Sequence, residues 1–344
     1  MYLFHNDYNQ MCHPAILERM QQIATEQMSG YSEDSCCQAA AEKIRALCGR
    51  DDVAVHFLVG GTQSNLIVIA ASLRPHQAVI GAHSAHINVH ETGAIEATGH
   101  KVLALDSEDG KIRPEQIRQM VDLHWIDEAH EHIAQPKMVY ISNSTELGTA
   151  YTLAELEAIS AVCREKGLYL FVDGARLGYA LAAEGNDVTV ADLARLTDAF
   201  YIGGTKVGAM IGEAVVITNP AIAEDFRYII KQRGAMLAKG WLMGVQFDVL
   251  MEDDLYFKIA RHANMMADRI RDALRSKGYP IVAEDRTNQT FTIMPDVALE
   301  VLKKDFTFST QERVDATHTM VRFCTSWGST EESVNLLCEA IKNL

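Results

Sequence analysis

Three segments of the chain combine residue types that could bind and activate an anionic, aromatic ligand. The first, residues 59–65 (VGGTQSN), joins a strand-like run to a helix-like run. Glycine lets the backbone approach a ligand closely, and the first N–H groups of a helix lack internal acceptors. Gly61 and Thr62 are therefore suited to hold a phosphate. The segment matches neither common nucleotide-binding motif, and an ordinary turn with Thr62 as the helix N-cap is the alternative.

The second segment, residues 170–176 (LFVDGAR), ends an apolar run with Asp173 and then Arg176. An aspartate at the carboxyl end of a buried strand lies where α/β sheets bind ligands. Its carboxylate could keep a heteroaromatic nitrogen protonated, and the planar guanidinium of Arg176 could bind an anion. The alternative is an aspartate that caps the next turn, followed by a surface arginine.

The third segment, residues 201–208 (YIGGTKVG), places Lys206 among small residues after another β-rich run. Burial or neighbouring cations lower the pKa of a lysine and make Schiff-base formation feasible. A solvated lysine is the alternative for Lys206 alone. The order of the three segments, a phosphate cradle followed by an aspartate and then a lysine, favours the chemical interpretation.

The hydrophobic pattern around these segments predicts an α/β fold. Strands are expected at 53–59, 78–81, 101–105, 138–142, 168–172 and 199–202, and helices near 14–28, 36–48, 63–73, 88–98, 114–133 and 153–166. Near-continuous apolar strands that alternate with helices indicate a mostly parallel central sheet covered on both faces.

The pattern changes after about residue 250. Helices are expected at 256–276, 296–303 and 330–343, with strands at 291–294 and 319–324, which indicates a small α+β domain. We therefore expect a large ligand-binding domain with an N-terminal arm over 1–250, and a small C-terminal domain over 251–344.

Composition limits the possible functions. Thirty-one lysines and arginines against 46 acidic residues give a net charge of −15, which disfavours nucleic acid as a partner. The longest apolar runs are too short to cross a membrane. Seven cysteines, two of them adjacent, suggest a reducing compartment. The first residues lack the features of a secretory signal, so a cytoplasmic location is expected.

Taken together, the motifs resemble those of the low-specificity threonine aldolases in the β-eliminating lyase group of pyridoxal-phosphate enzymes. The resemblance extends from Asn6 to Arg322, and its phrases are Gly61-Thr62-Gln63-Ser64-Asn65, Ala85-His86, Asp173-Gly174-Ala175-Arg176 and Lys206. It implies the aspartate-aminotransferase superfold, fold type I: a pyridoxal-phosphate-dependent transferase-like large domain and a small C-terminal domain.

The resemblance also implies a role for each matching residue in binding pyridoxal 5′-phosphate. Gly61 and Thr62 would hold its phosphate, and His86 would stack on its ring. Asp173 would pair with the ring nitrogen, and Lys206 would form the Schiff base.

A second group of residues would bind the substrate. Arg176, which also belongs to the cofactor site, and Arg322 would take its carboxylate. Asn6 would assist them, and Tyr31 would line the same site.

Two positions depart from the family pattern. Glu146 stands where the family has a histidine close to the β-hydroxyl of the substrate. The general base is therefore left open between His86, Glu146 and a water held between them. An arginine of the family that reaches the phosphate has no clean counterpart, and Arg233 or Lys239 could replace it.

The expected reaction is a retro-aldol cleavage of threonine, allo-threonine or a phenylserine-like β-hydroxy-α-amino acid to glycine and an aldehyde. The alternatives are a pyridoxal-phosphate β-eliminating lyase acting on another amino acid, a non-catalytic amino-acid-binding scaffold and a metal hydrolase. The last would use His124, Glu128 and His132 on one helix face, but we expect a solvated surface there and no metal. By analogy with this fold, the protein should be a homodimer or homotetramer.

Overall fold

The computed structural model describes residues 1–283 and 286–344, and a seven-stranded sheet lies at its centre. The strands are β1 (Tyr2–Leu3), β2 (Ala54–Leu58), β3 (Gln77–Ala82), β4 (Val102–Leu105), β5 (Gln135–Ser142), β6 (Tyr169–Asp173), β7 (Ala199–Gly203), β8 (Glu213–Ile217), β9 (Gln289–Pro295), β10 (Phe306–Thr307), β11 (Ser309–Arg313) and β12 (His318–Cys324).

Helices cover this sheet and the smaller sheets. They are α1 (Pro14–Gln22), α2 (Ser35–Cys48), α3 (Gly61–Ser72), α4 (His86–Val89), α5 (Pro114–Ile126), α6 (Leu153–Lys166), α7 (Leu177–Leu181), α8 (Val190–Leu196), α9 (Pro220–Ala223), α10 (Phe226–Gln232), α11 (Trp241–Leu250), α12 (Leu255–Ser276), α13 (Asp296–Leu302) and α14 (Glu331–Lys342), with 3₁₀ turns at Glu96–Thr98 and His130–His132.

The direction of the strands decides where functional residues meet. The order in the central sheet is β2-β8-β7-β6-β5-β3-β4. Strands β3 to β7 pair in parallel, whereas β8 runs antiparallel to both β2 and β7. Consequently β2 points the same way as β7, and the carboxyl ends of β2, β3, β5, β6 and β7 share one edge. The predicted mostly parallel sheet is confirmed, although the predicted strands did not include the reversed β8.

Local sequence signals explain how strands and helices alternate here. Every residue of β3, β7 and β8 is buried, as expected when helices cover both faces of a sheet. Helix α6 starts at Thr152, which forms a capping box with Glu155, and stops at Gly167, whose φ of 65° is left-handed.

The C-terminal part has its own three-stranded antiparallel sheet, in the order β11-β12-β9. Helix α12 joins two apolar cores: Ala260 packs in the larger one, and Ile270 packs in the smaller one with Leu337. The N-terminal arm also belongs here, because β1 pairs with β10 and Phe4 lies in the smaller core. The small α+β unit is as predicted. The domain boundary at residue 250 stays a prediction. Along α12, the buried residues change from members of the larger core to members of the smaller core.

Three predicted helices are shorter than expected. α1 ends at Gln22, and the next residue, Ile23, is buried in a separate apolar cluster. The helix expected over 88–98 is instead α4 followed by a 3₁₀ turn. α5 ends at Ile126, where the side chain of Asp127 accepts the N–H of Ala129 at 2.8 Å and its carbonyl accepts the N–H of His130 at 3.1 Å.

The early end of α5 corrects the prediction of a shared histidine face. His124 lies in the last turn of α5, Glu128 follows the helix, and His132 belongs to a 3₁₀ turn. The three side chains therefore do not lie on one helix face, which removes the geometry on which the metal-hydrolase alternative depended.

All seven cysteines are buried and free. Burial raises the pKa of each thiol, to about 11 for Cys48 and to about 12 for Cys163 and Cys324. They are therefore protonated at neutral pH, and a protonated, buried thiol is a poor nucleophile. None of the helices in the described part of the chain combines the length and apolar character that a membrane crossing requires.

Candidate active site

Five parallel strand ends bring the predicted functional segments to one edge of the sheet. The glycine turn 59–61 follows β2, and His86 follows β3 at the start of α4. Glu146 follows β5, Asp173 ends β6, and Lys206 lies in the loop after β7. Segments far apart in sequence therefore meet at the edge where open α/β sheets bind ligands.

The glycine turn presents free N–H groups. Gly60, in extended conformation, is the N-cap of α3, and the first backbone bond into the helix is from Ser64 N–H to the Gly60 carbonyl at 3.0 Å. Within the described chain, the N–H groups of residues 61–63 have no acceptor. A Cβ atom at Gly61 would lie 3.0 Å from the Tyr201 hydroxyl. This helix start suits a phosphate, whereas the alternative of Thr62 as the N-cap is wrong.

Asp173 is a buried carboxylate that accepts four hydrogen bonds. Its Oδ1 accepts the Tyr201 hydroxyl at 2.5 Å and the Ala175 N–H at 2.9 Å. Its Oδ2 accepts the Tyr140 hydroxyl at 2.5 Å and Asn65 Nδ2 at 3.0 Å. Burial pushes the pKa of Asp173 up, but the two tyrosines and the Ala175 N–H outweigh it, so the pKa is below its ordinary value. Asp173 is therefore anionic and suited to pair with a protonated ring nitrogen.

His86 is held by a second buried carboxylate. Its Nδ1 lies 2.8 Å from Oε1 of Glu91, whose side chain is fully buried. Asn65 Nδ2 donates to the same oxygen at 2.7 Å and thereby links Glu91 to Asp173. The Glu91 contact places the His86 proton on Nδ1 and leaves Nε2 as an acceptor. Glu91 was not among the predicted residues, although an acid five positions after the histidine was a visible signal.

Glu146 lies next to His86. Its Oε1 accepts the backbone N–H of His86 at 3.0 Å and the Ser142 hydroxyl at 2.6 Å. Burial raises the pKa of Glu146, the Ser142 bond opposes this, and the charge of Asp173 raises it further. The residue that replaces the family histidine is thus close to the other candidate base, and its role stays a prediction.

Lys206 is a half-buried lysine without a close counter-charge. No carboxylate oxygen in residues 1–283 and 286–344 forms an ion pair with its Nζ within 4 Å. Burial lowers the pKa of Lys206, and the charge of Arg176 lowers it further, against the opposing effect of Asp7 and Asp173. A larger share of this amine is therefore neutral, which is the form that attacks a carbonyl.

Arg176 is already paired with a carboxylate of the chain. Its Nε and Nη2 donate to the two oxygens of Asp7 at 2.7 and 3.0 Å, and Asn288 Nδ2 donates to Asp7 at 2.9 Å. Only Nη1 of Arg176 lacks an acceptor among the described residues. Asn6, next to Asp7, is half-buried, and its side chain accepts the N–H of Tyr8 at 3.1 Å. The substrate roles of Asn6 and Arg176 stay predictions.

Arg322 extends from β12 beneath the N-terminal arm. Its Nη1 donates to Gln289 at 3.0 Å and its Nη2 to the His5 carbonyl at 3.1 Å, while its buried Nε has no partner in the described structure. Burial, followed by the charges of His86 and Arg322, lowers the pKa of His90. Arg322 therefore acts electrostatically on the α4 side of the site.

Tyr31, Arg233 and Lys239 form no hydrogen bond or ion pair with Asp173, His86 or Lys206 in the described part of the chain. Tyr31 is 44% exposed, and its ring lies 4.8 Å from Nζ of Lys231. Arg233 and Lys239 are exposed. A cavity of about 220 Å³ borders Tyr31, but neither Asp173 nor Lys206 lines it. The roles of Tyr31, Arg233 and Lys239 in the site stay predictions.

Comparison with known proteins identifies the family. The sequence profile of the β-eliminating lyases matches residues 8–296. The chain belongs to this family. Within it, the chain is 32% identical to a low-specificity L-threonine aldolase of Pseudomonas sp. (strain NCIMB 10558), over 98% of this chain and 96% of that protein. It is 30% identical to one of Pseudomonas aeruginosa, with the same coverage.

Solved structures agree with this membership of the β-eliminating lyase family. A threonine aldolase of Leishmania major superposes with a TM-score of 0.97 at 47% identity, covering 100% of this chain and 99% of the other. A Thermus thermophilus aspartate aminotransferase superposes with a TM-score of 0.73 at 17% identity, covering 100% and 91%. The second match concerns the fold alone, and it confirms the expected aspartate-aminotransferase architecture.

Proposed function

We propose that this β-eliminating lyase family member cleaves a β-hydroxy-α-amino acid, such as threonine, allo-threonine or phenylserine, to glycine and an aldehyde, with pyridoxal 5′-phosphate as its cofactor. The observation that supports this most is the meeting of the α3 amino terminus, Asp173 and Lys206 at one sheet edge. The full-length similarity to proteins named low-specificity L-threonine aldolases supports the choice of reaction.

The residues present fit each part of this cofactor. The free N–H groups at Gly61 and Thr62 match its phosphate, and the anionic Asp173 matches its ring nitrogen. His86 would stack on the ring, and the Lys206 amine would bond to its aldehyde. When bound, the cofactor supplies an electron sink for the breaking Cα–Cβ bond.

The arginines would bind and orient the substrate. Nη1 of Arg176 and the unpaired Nε of Arg322 are donors available for a carboxylate, with Asn6 close by. Holding the carboxylate fixes the direction of the Cα–Cβ bond, which brings that bond into reactive alignment.

The β-hydroxyl proton would go to Glu146, to His86 or to a water between them. Glu146 is anchored by the His86 N–H and has a raised pKa, which makes its carboxylate a stronger base. His86 has its Nδ1 occupied by Glu91, so its Nε2 is the atom that would accept a proton.

By analogy with this fold, the protein would be a homodimer or homotetramer. Tyr31, Arg233 and Lys239 are exposed on one chain and could complete the site of a neighbouring copy, including its phosphate contacts. The seven free cysteines agree with a reducing, cytoplasmic location.

The test is a visible spectrum of the purified protein with pyridoxal 5′-phosphate, followed by titration with threonine, allo-threonine and phenylserine. We expect an absorption band that changes with substrate, a borohydride-trapped adduct at Lys206, and glycine plus an aldehyde as products. Pyruvate plus ammonia would instead indicate a β-eliminating lyase reaction. A protein that stays colourless and forms no adduct would indicate a binding scaffold.

A further inference from the structure

Glu213 is a buried acid with no part in the function proposed above. As the first residue of β8, it pairs with Gly203 at the end of β7 and with Leu58 at the end of β2. β7 leads to Lys206 and β2 leads to the glycine turn. Glu213 therefore lies between the two segments that would hold the aldehyde and the phosphate of the cofactor, and it is only 3% exposed.

The loop that contains Lys206 closes onto Glu213. The N–H of Gly204 donates to Glu213 Oε2 at 3.0 Å and to the Gly212 carbonyl at the same distance. The N–H of Thr205 donates to the Gly212 carbonyl at 3.1 Å. The carboxyl group thus helps to fix the base of the loop from which Lys206 extends.

Neither Glu213 nor Lys206 forms an ion pair with an oppositely charged side chain in the described chain. In the described chain, no basic nitrogen lies within 4 Å of the Glu213 carboxylate as an ion pair. One neutral N–H compensates poorly for the desolvation of a carboxylate. The buried Glu213 carboxyl group is therefore most stable in its neutral form, and the half-buried Lys206 is its nearest basic residue along the β7 loop.

The titration of both groups agrees with this argument. Burial raises the pKa of Glu213 to about 8, although the nearby Thr205 hydroxyl and the charge of Lys206 oppose the shift. Burial likewise lowers the pKa of Lys206. At neutral pH the carboxyl group therefore holds a proton, and the downward shift of the Lys206 pKa favours its neutral amine.

We infer that Glu213 acts in its protonated form as the proton-holding partner of Lys206 in the cofactor site. When the charged pair becomes the neutral pair, the ammonium loses one proton and the carboxylate gains one, so the net charge stays zero. The amine would then be free to bond to the aldehyde of the cofactor, and Glu213 would add no negative charge between the segments that would hold the cofactor. The inference rests on the proposed cofactor but not on the proposed substrate.

The other charged groups around the pair do not change charge near neutral pH. Arg176 and Asp7 neutralise each other, and the anionic Asp173 favours a protonated Glu213. Burial raises the pKa of Tyr201 and of Tyr256 far above neutrality, so both stay uncharged.

The experiment uses Glu213→Gln, whose amide oxygen can still accept the Gly204 N–H but cannot ionise. The probe is 4′-deoxypyridoxine 5′-phosphate, which has the ring and phosphate but no aldehyde and so cannot bond to Lys206. Its dissociation constant is measured by calorimetry between about pH 7 and pH 9. For the wild-type protein we expect the dissociation constant to rise about tenfold as Glu213 ionises between the segments that would hold the probe. The variant should bind like the wild type at pH 7 and show no rise.

The matched control is Asp198→Asn at the opposite end of β7. Asp198 accepts the Leu170 N–H and the Asn219 amide, both at 2.7 Å, and its variant should keep the wild-type pH dependence. A flat wild-type curve, an equal rise in Glu213→Gln, or loss of binding by folded Glu213→Gln at pH 7 would each overturn the inference. Phenylserine cleavage is measured separately, because a protein that shows the pH step without cleavage would retain the Glu213 role and lose the proposed reaction.

Discussion

Arg176 uses two of its nitrogens to bind both oxygens of Asp7, a residue 169 positions earlier in the chain. The pair connects the N-terminal arm to the loop after β6, and Asn288 connects the same carboxylate to the C-terminal part. Asp7 is fully buried and the Arg176 side chain is 12% exposed. The orientation of an arginine expected to bind substrate is therefore set by three distant segments.

Replacing Asp7 by Asn should destabilise the protein. Removing one partner of a buried ion pair leaves the other charge uncompensated, which typically costs about 3–5 kcal/mol. We expect a loss of this order in the free energy of unfolding, measured with urea. Asp52→Asn, which breaks the exposed pair with Arg50, is the control and should change little. Equal effects of the two substitutions would show that the Asp7 pair has no special contribution.

The same pair predicts a loss of stability in acid. The pKa of Asp7 falls from 3.8 to about 2 because the charges of Arg176 and Lys206 outweigh burial. The folded protein thus binds this proton more weakly than the unfolded chain, and the stabilisation is lost as the pH falls from about 4 to about 2. The contribution of this shifted pKa to the free energy of unfolding at neutral pH is about 2 kcal/mol. Unfolding measured across this range should show a shallower pH dependence for Asp7→Asn, and an unchanged slope would contradict the prediction.

Tyr140→Phe and Tyr201→Phe should each weaken cofactor binding. Each substitution removes a hydroxyl that donates to Asp173 at 2.5 Å. The anionic form of Asp173 should then be less stable, and its pKa should rise. We expect the dissociation constant of pyridoxal 5′-phosphate to rise by about tenfold per substitution. Tyr169→Phe, at the other end of β6, should leave it unchanged. If all three variants bind alike, the two hydroxyls do not tune Asp173.

Glu146→Gln tests the general base. The amide cannot accept a proton, so kcat for phenylserine should fall by about 100-fold while KM changes little. Glu146→His, which restores the residue type of the family, should recover part of the loss. Wild-type kcat in Glu146→Gln would exclude Glu146 and leave His86 or a water as the candidate base.

Local motifs explain what could be predicted from the sequence. Asp173 and Lys206 each follow an apolar run that predicts a strand. Because open α/β sheets bind ligands at the carboxyl ends of their strands, this position was enough to predict that both residues belong to the site. Glu213, Glu91 and Asp7 were not predicted because their roles depend on pairing between segments far apart in sequence. β8 is reversed within a mostly parallel sheet, and no local pattern reveals that direction. The early end of α5 was not predicted either, because it depends on hydrogen bonds that Asp127 accepts in the following turn and that replace helical ones.

The buried thiols have a practical consequence for measuring assembly. Maleimide reagents need an accessible thiolate, so the native protein should be almost inert to them under folding conditions. A cysteine introduced at Val297, which is 78% exposed, would then be the single labelling site per chain. Spin labels placed there would test the proposed assembly by reporting the distances between labelled copies, without any native cysteine first having to be removed.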